Sequence, residues 1–283
     1  MRHALLLWAT TASRELPWRT TRDPWEVMVS EFMLQQTQVA RVLPRYASFL
    51  RVFPTPAACA AAPVGDVVRQ WVGLGYNRRA INLHRAATAV VERHGGRLPA
   101  DLAKLRGLAG VGAYTARAVM AFAFEADIGV VDTNAARVLA RTAGRRLGRA
   151  EAQGRADSLV PPATGWAWNQ AVLDLGAMVC TKRSPNCSRC PLAGWCGWRA
   201  AGNPAPDPAD GSAGASRHQA PFGGSDRQGR GRLVRALCLG PVPAGAIATV
   251  AGWPADEARA ARVASDLVAE GLAALDDGFL LLA

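Results

Sequence analysis

Apolar residues recur at helical spacing over most of the first two hundred residues of the chain. One example is the stretch that carries Val27, Phe32, Met33, Leu34 and Val39. No stretch in this region alternates apolar and polar residues long enough to predict a sheet, so we predict an all-α region in which Gly and Pro end most helices. The predicted helices are Leu5–Glu15, Trp25–Leu43, Pro44–Val52, Thr55–Ala61, Gly65–Gly73, Arg78–Arg93, Pro99–Leu105, Ala113–Phe124, Thr133–Thr142, Arg149–Leu159 and Ala167–Met178.

The pattern changes after this first domain, which we place at residues 1–200. Residues 201–227 are rich in Pro, Gly, Ala and Asp, which bury too little apolar surface to fold alone, so we predict a linker. Periodicity returns in residues 228–283, where three helices followed by a hairpin are typical of a small winged-helix-like α+β domain; a helical bundle used only for packing is the alternative. These elements are Gly229–Leu239, Ala244–Ala251, Asp256–Leu272 and two short strands around Asp276, Asp277 and Gly278.

Length and charge limit the classes of protein that the chain can represent. A chain of 283 residues with 50% hydrophobic residues can form the core of one large domain or two modest ones. Its 33 basic and 22 acidic residues give a formal charge of +11, which predicts a polyanionic partner. Since Lys104 and Lys182 are the only lysines, the surplus is almost entirely arginine, which pairs with phosphate bidentately. An arginine-rich proteome is the alternative explanation.

The apolar run near the N-terminus is shorter than a membrane span requires. Its spacing suits an amphipathic helix better than an export signal. Cys59 and Cys238 stand alone in the sequence, and we expect buried thiols there. We therefore expect a protein of the reducing cytoplasm, associated with the nucleoid, that does not enter a membrane.

Four other cysteines lie close together with the spacing C-x6-C-x2-C-x5-C. Thiolates are soft donors that bind iron–sulfur clusters or zinc, and structural zinc sites usually show two C-x2-C pairs instead of one. Disulfides are disfavoured because the spacing is tight and the sequence shows no secretory segment. The spacing resembles the [4Fe–4S] loop of the endonuclease III and MutY family of DNA repair enzymes, which implies that the loop, residues 180–196, holds such a cluster; zinc is the alternative. The implied ligands are Cys180, Cys187, Cys190 and Cys196.

A glycine-rich turn between two predicted helices carries the next signal. Gly110 and Gly112 flank an apolar residue just before a helix, where exposed backbone N–H groups suit a phosphate oxygen. Together with Asp132 about twenty residues later, the turn resembles the helix–hairpin–helix and Asp signature of the same superfamily, although Ala109 replaces its common Pro. The resemblance implies a two-lobed helical glycosylase fold. An N-cap for the helix from Thr133 is the alternative role for Asp132.

The segment Ser30–Val39 contains the phrase E-x-M-L-Q-Q-T. With the LPWR segment, Leu16–Arg19, and the GLGY segment, Gly73–Tyr76, it resembles the MutY-type adenine DNA glycosylases. The resemblance implies that Glu31, otherwise most simply a solvated helix residue, is the general acid that protonates adenine at N7. It also implies that Asp132 faces the sugar and stabilises its developing positive charge. Asn134 is implied to orient the carboxylates.

Position 114 separates two branches of the superfamily. Relatives that resemble endonuclease III place there a lysine that forms a Schiff base and then breaks the strand. This chain has Tyr114, which cannot form an imine, so we predict a monofunctional enzyme that leaves an intact abasic strand. By resemblance Tyr114 also hydrogen-bonds Glu31. A packed aromatic residue is the alternative for Tyr114.

Removal of a base from a duplex requires that the base leave the stack. The resemblance implies that Gln35 enters the stack and that Tyr76 stacks next to the opposing purine. Each of these residues, and of the candidates for the adenine pocket, has an ordinary alternative as a core or surface side chain. The pocket candidates are Trp18, Arg19, Leu34 and Gln170.

The resemblance implies an adenine glycosylase that acts as a monomer on double-stranded DNA containing A:8-oxoguanine or A:G mispairs. The segment after the predicted linker is too short for the Nudix-like domain of the best-known MutY enzymes, and it resembles the short C-terminal region of actinobacterial relatives. A thymine glycosylase acting on G:T mispairs, a bifunctional pyrimidine glycosylase and a non-enzymatic iron–sulfur DNA-binding regulator are the alternatives. Tyr114 opposes the bifunctional enzyme, and the presence of both Glu31 and Asp132 opposes the regulator.

Overall fold

The structure, a computed structural model, describes residues 1–213 and 221–283. Its α-helices are α1 Arg2–Ala12, α2 Pro24–Leu34, α3 Val39–Val52, α4 Pro56–Ala61, α5 Val64–Trp71, α6 Arg78–His94, α7 Leu102–Arg106, α8 Ala113–Ala123, α9 Thr133–Ala143, α10 Arg149–Leu159, α11 Gly165–Asp174, α12 Gly197–Ala200, α13 Asp226–Leu237, α14 Ile247–Ala251 and α15 Glu257–Ala269. None of these helices is long and apolar enough to cross a membrane. Short 3-10 turns and one π-helical turn, Leu175–Val179, supplement them.

The described strands form a small sheet near the C-terminus. They are β1 Val242–Pro243, β2 Ala273–Asp276 and β3 Phe279–Leu282, paired antiparallel in the order β1-β3-β2. In the register, Leu280 pairs with Val242 on one side and with Leu275 on the other. The prediction of a helical first region followed by a small α+β segment is therefore confirmed. Strand β1 was not predicted, because two residues are too few for a periodic signal.

The sequence predicts a helix break at Pro44, but the break lies earlier. Helix α2 ends at Leu34, Gln36 adopts a left-handed φ of 56°, and α3 continues through Pro44 to Val52. A proline inside a helix costs about 3 kcal/mol. Helix α3 also buries Val42, Tyr46 and Phe49, and each large side chain that is removed from water contributes roughly 1.5 to 3 kcal/mol. Burial of the helix face therefore outweighs the effect of the proline.

Contacts divide the chain into two compact units, and the boundary falls inside α2. The first unit contains Met1–Met28, Ala100–Arg106 and the described part of Val111–Arg217. The second unit contains the rest of the described chain: Val29–Pro99, Gly107–Gly110 and the described part of His218–Ala283.

The first unit is built around α1, α9 and α11. Leu5, Val138, Trp168 and Leu175 are buried together in one apolar cluster. A second cluster lies between α9 and α10, where Leu139 and other small or branched side chains are buried. These helices carry several of the predicted functional residues, so packing of the core fixes the backbone positions of those residues.

The start of the predicted linker packs on the first unit. Ser212 is buried, and its hydroxyl accepts a hydrogen bond of 3.3 Å from the backbone N–H of Leu147. The backbone N–H of Ala213 donates to the Leu147 carbonyl at 3.0 Å. Residues 214–220 of the predicted linker lie outside the described residues, and α13 begins at Asp226, within the predicted linker and three residues before the predicted helix start.

The C-terminal helices and sheet belong to the same unit as Val29–Pro99. Gly65, at the start of α5, has no room for a side chain, because a Cβ there would lie 2.7 Å from the carbonyl oxygen of Ala283. Helices α13, α14 and α15 pack on one another and are followed by the β2–β3 hairpin. This order of elements resembles a winged helix.

One buried carboxylate holds the segment between α1 and α2 in the first unit. Asp174 is fully buried and accepts hydrogen bonds from Arg19 at 2.6 and 2.8 Å and from Arg14 at 2.6 Å. Burial raises the pKa of Asp174, but the hydrogen bonds and charges of Arg19 and Arg14 outweigh burial and leave the pKa below its usual value. The resulting stabilisation is present at neutral pH and is lost as the pH falls through that lowered pKa.

We predict that Asp174→Asn lowers the free energy of unfolding by about 3 to 5 kcal/mol, because it leaves the Arg19 guanidinium buried without its counter-charge. Urea unfolding at neutral pH measures this loss. Asp66→Asn is the matched control, since Asp66 pairs with Arg69 where both side chains are about half exposed, and it should cost only about 0 to 1 kcal/mol. Equal losses for the two variants would contradict the structural role of Asp174.

Candidate functional site

Asp132 lies at the N-terminus of α9 in the first unit. One carboxylate oxygen accepts a hydrogen bond of 2.7 Å from the backbone N–H of Ala135, and the other accepts one of 2.9 Å from the Asn134 side-chain amide. Burial raises the pKa of Asp132, while these hydrogen bonds and the charge of Arg137 oppose the rise. The residue therefore caps the helix and is also a half-buried acid with a perturbed pKa, a combination typical of functional carboxylates.

Arg137 connects Asn134 to the loop that begins with Cys180. Its guanidinium donates to the Asn134 side-chain oxygen at 2.8 Å, to the Gly176 carbonyl at 2.6 Å and to the Cys180 carbonyl at 2.7 Å. Asn134 in turn donates to Asp132. A continuous chain of hydrogen bonds thus runs from the backbone at Cys180 to the carboxylate.

All four clustered cysteines line one cavity in the first unit. None of them forms a disulfide, and each is partly buried. In the described part of the chain, no three His, Cys, Asp or Glu side chains converge as they do around a single metal ion. Four soft thiol donors around one space, with a cation beside them, fit a thiolate-bound cluster. The four are Cys180, Cys187, Cys190 and Cys196.

The cation beside this cavity is Arg141, whose side chain is 2% exposed. It donates to the Cys180 sulfur at 3.3 Å and to the carbonyls of Thr181 and Lys182 at 2.8 and 3.0 Å. Asp207, from the segment that the sequence predicts as linker, accepts from the same guanidinium at 2.5 and 3.1 Å. The segment after the last clustered cysteine therefore supplies the counter-charge for the arginine that holds the loop.

The helical hairpin places its two glycines at different points of the turn. Gly112 is the N-cap residue of α8, so the first backbone N–H groups of that helix lie next to it, and Tyr114 is half-buried on its first turn. Gly110 has a left-handed φ of 77°, and a Cβ there would lie 2.8 Å from both Asn82 and the Phe32 ring. Only glycine fits this position.

Helix α2 carries Glu31 and leads to Gln35 in the second unit. Glu31 is only 5% exposed, so the structure places it in the protein interior and not on a solvated face. Gln35 follows one turn later, immediately after the helix end, and its side-chain amide lies 3.5 Å from the Gly110 carbonyl. The structure thus brings Gln35 and Gly110 together within one unit, while Asp132, Asn134 and Tyr114 belong to the other unit.

Tyr76 lies in a tight turn before α6. Its ring is exposed, with a relative accessibility of 41%, and its φ is 47°, in the left-handed region that non-glycine residues rarely adopt. Such a conformation costs of the order of 1 to 3 kcal/mol and persists only where surrounding contacts hold it. An exposed aromatic ring on a constrained turn is suited to stacking against a base.

The remaining predicted pocket residues are mostly buried. Trp18 and Arg19 lie on the 3-10 turn Pro17–Arg19, where Arg19 is bound to Asp174. Gln170 is 6% exposed on α11, and Leu34 is partly buried at the end of α2.

Side chains that the sequence analysis does not single out support these residues. They include Arg137, Arg141, Asp174 and Asp207, and also Arg79, whose guanidinium donates to the Gln35 carbonyl at 2.6 Å. Arg137 lies three residues after Asn134, a spacing that places both on one face of a helix, so this contact could have been found from the sequence. Arg79 and Asp207 act over tertiary distances and leave no local signal.

Two parts of the chain match models of DNA repair protein families. Residues 29–158 match the HhH-GPD superfamily of base excision DNA repair proteins, and residues 180–196 match the iron–sulfur binding domain of endonuclease III. The loop that contains the four cysteines therefore binds a [4Fe–4S] cluster.

The chain is similar over almost its whole length to curated enzymes. An adenine DNA glycosylase of Mycobacterium tuberculosis is 42% identical over 278 residues, which cover 95% of this chain and 88% of the relative. One from Mycolicibacterium smegmatis is 40% identical over 274 residues, covering 95% and 90%. A solved thermostable thymine-DNA glycosylase superposes with a TM-score of 0.65 at 28% identity, covering 71% of this chain and 95% of that one.

We predict that Asp207→Asn weakens retention of the cluster, because it removes the counter-charge of Arg141 behind the cysteine loop. Loss of a residue that supports metal ligands typically costs 10- to 100-fold in metal affinity, so release of iron to a chelator should be about tenfold faster. Iron and acid-labile sulfide per chain measure the outcome. Asp210→Asn, an exposed aspartate in the same segment, is the control and should match the unmodified protein. Equal iron release from both variants would contradict the role of Asp207.

Proposed function

The chain belongs to the adenine DNA glycosylases of base excision repair, and we propose that it hydrolyses the N-glycosidic bond of adenine paired with 8-oxoguanine or guanine in duplex DNA. The observation that carries this proposal is the placement of two carboxylates in a helix–hairpin–helix glycosylase fold, with Glu31 buried on α2 and Asp132 half-buried at the start of α9. Glycoside hydrolysis uses two such groups in different roles.

Glu31 is the general acid of the proposed reaction. Its proton passes to N7 of adenine, so that the protonated base accepts the electron pair of the breaking bond to C1′ and leaves as neutral adenine. The 5% exposure of Glu31 supports this role, because a general acid has to be shielded from bulk water while it holds its proton.

Asp132 is the carboxylate that stabilises the sugar. As the glycosidic bond opens, positive charge develops at C1′, and an ionised Asp132 stabilises that charge until water adds to C1′ and its proton returns to the Glu31 carboxylate. The hydrogen bonds from Asn134 and Ala135 support this role because they favour the ionised form of the half-buried carboxyl group. The reaction yields free adenine and an abasic sugar in an intact strand.

The absence of a lysine at position 114 supports base removal without strand cleavage. Tyr114 cannot form an imine with C1′, so no Schiff base leads to strand cleavage. The half-buried position of Tyr114 on the first turn of α8 is compatible with positioning an acid.

In this proposal several groups of the chain contact duplex DNA. Backbone N–H groups after Gly110 and Gly112 bind phosphate oxygens, Gln35 enters the stack and Tyr76 stacks beside the opposing purine. Trp18, Arg19, Leu34 and Gln170 are assigned to the adenine pocket; the buried ion pair of Arg19 makes a supporting role more suitable for it than direct base contact.

We assign the four clustered cysteines as ligands of the [4Fe–4S] cluster. The cluster, when bound, supplies a structural cross-link for the loop that carries Lys182, Arg183 and Arg189, which suits a basic loop at the phosphate backbone. We further propose residues 1–200 as the glycosylase domain, 201–227 as a connecting segment and 228–283 as a winged-helix-like domain, in a monomer that works in the cytoplasm at the nucleoid.

We predict that Glu31→Gln abolishes base release while duplex binding changes less than about threefold, because the amide keeps the shape of the carboxyl group but cannot donate an acidic proton. Single-turnover reactions with labelled A:8-oxoguanine, A:G, T:G and thymine-glycol duplexes, each analysed with and without alkali, measure release and strand cleavage. Fluorescence anisotropy measures binding to the same duplexes.

The proposal requires that breaks appear only after alkali and only in adenine-containing strands. Release of thymine from T:G would place the chain in a different glycosylase branch. Release by the Glu31→Gln variant at the unmodified rate would rule out Glu31 as the acid.

We predict that Asn134→Ala shifts the acid limb of the pH–rate profile to higher pH. The hydrogen bond from Asn134 lowers the pKa of Asp132, so its loss raises that pKa further. The ionised form is the active one, and activity is lost as the pH falls through the pKa, so the variant loses activity at a higher pH. A slower enzyme with an unshifted profile would contradict the assigned role of Asn134.

A further inference from the structure

Arg79 lies on the first turn of α6 in the second unit, with 7% of its surface exposed. Burial lowers its pKa to about 10, which leaves it charged at neutral pH. Its guanidinium has seven oxygen acceptors at 2.6 to 3.3 Å. They are the carbonyls of Phe32, Met33, Gln35, Leu74, Gly75 and Tyr76 and the hydroxyl of Thr37.

These acceptors come from two separate segments of the chain. The first segment is the C-terminus of α2 and the turn after it, where the last carbonyls of a helix have no partner within the helix and carry partial negative charge. The second is the turn Leu74–Tyr76 before α6. One buried cation therefore joins two loops that are about forty residues apart in sequence.

Both loops contain a residue in the left-handed conformation that is not glycine. Gln36 has a φ of 56° and Tyr76 a φ of 47°. The residue before Gln36, the residue before Tyr76, and Tyr76 itself all give their carbonyls to Arg79. Unfavourable backbone conformations of this kind persist when surrounding contacts determine them, and they concentrate at functional sites.

Gln35, which precedes the strained Gln36, and Tyr76, which is itself strained, are the two side chains that the proposed function places in the base stack. The Arg79 guanidinium also lies 5.6 Å from the centre of the Tyr76 ring and 5.4 Å from that of the buried Trp71. The Arg79 guanidinium therefore binds the Gln35 carbonyl at 2.6 Å and also lies close to the Tyr76 ring.

We propose that Arg79 is a positioning residue that fixes the Gln35 and Tyr76 turns in one prearranged geometry, so that the protein extrudes adenine from the duplex without first ordering these loops. The inference rests on the proposed function. Prearrangement removes the entropic cost of ordering a loop at the moment of binding, and it acts on extrusion instead of on the proton transfer.

A lysine cannot replace this arginine. The planar guanidinium presents five N–H donors in a fixed fork, whereas an ammonium group has three donors around one point. Acceptors that lie on two loops therefore lose several of their hydrogen bonds in Arg79→Lys although the charge is kept. The neighbouring Arg78 is exposed on the same helix turn, so Arg78→Lys is the matched control.

Extrusion is measured with 2-aminopurine next to the target adenine in an A:G duplex, using saturating protein that also carries Glu31→Gln so that no base is cleaved. We expect Arg79→Lys to reduce the fluorescence increase. In protein that retains Glu31, we expect the same substitution to slow single-turnover release by roughly 10- to 100-fold, the scale of a 1 Å misplacement. Arg78→Lys should change neither quantity by more than about twofold.

The pH–rate profile separates positioning from general damage. Because Glu31 and Asp132 are untouched, the profile of Arg79→Lys should keep its shape while the rate falls. An unchanged fluorescence increase together with an unchanged release rate would overturn the inference. A fall in duplex affinity and cluster content in parallel with the rate would also overturn it, since that result indicates a structural role alone.

A milder variant covers the case in which Arg79→Lys does not fold. Thr37→Val removes one acceptor of the guanidinium and keeps the size of the side chain. It should reduce the fluorescence increase in the same direction, with release slower by roughly two- to fivefold, and a Thr37→Val protein with unaltered extrusion would overturn the inference. A separate result tests the proposed function: it is contradicted if the unmodified protein releases no adenine.

Discussion

A buried guanidinium is stable only when its charge and its five N–H donors are satisfied, and this constraint shapes the parts of the protein that carry function. Arg19, Arg79 and Arg141 are each at most 9% exposed, and removing such a charge from water costs several kcal/mol unless compensating bonds form. The compensating groups are a carboxylate for Arg19, a carboxylate with a thiol and carbonyls for Arg141, and carbonyls with a hydroxyl for Arg79. In each case the arginine or some of its acceptors lie in a turn or loop, so satisfying the arginine also fixes the backbone of that segment.

This constraint changes the meaning of the charge of the chain. The surplus of +11, almost all arginine, predicts a polyanionic partner, and DNA is that partner for a glycosylase. Part of the arginine content nevertheless serves the interior. Arg137 and Arg141 bind the backbone of the cysteine loop, and Arg137 also binds Asn134 beside Asp132. Cluster loop and carboxylate are therefore joined by hydrogen bonds within one unit, and damage to the loop is expected to reach the carboxylate through Asn134.

Local patterns in the sequence predict much of this arrangement, and tertiary contacts explain the rest. The cysteine spacing, the glycine turn and the helical periodicity are local signals: the periodicity predicts the all-α class, and the family resemblance carried by the other two implies the cofactor and the glycosylase fold. The position of the break between α2 and α3 does not follow from local signals, because burial of the α3 face outweighs the helix-breaking effect of Pro44. Arg79 resembles any arginine at the start of a helix until its acceptors converge on it. Asp207 lies in a segment whose composition predicts a linker, yet its counter-charge role depends on a buried arginine 66 residues away.

The most direct test of monofunctional adenine removal is product analysis of a single turnover on an A:8-oxoguanine duplex in the presence of borohydride. Mass spectrometry identifies the released base, and denaturing electrophoresis detects any covalent protein–DNA complex. Because the roles proposed for Glu31 and Asp132 lead to hydrolysis and Tyr114 cannot form an imine, one equivalent of free adenine, an intact abasic strand and no trapped complex are predicted. A borohydride-trapped complex, or a duplex that retains its adenine, would contradict the assignment.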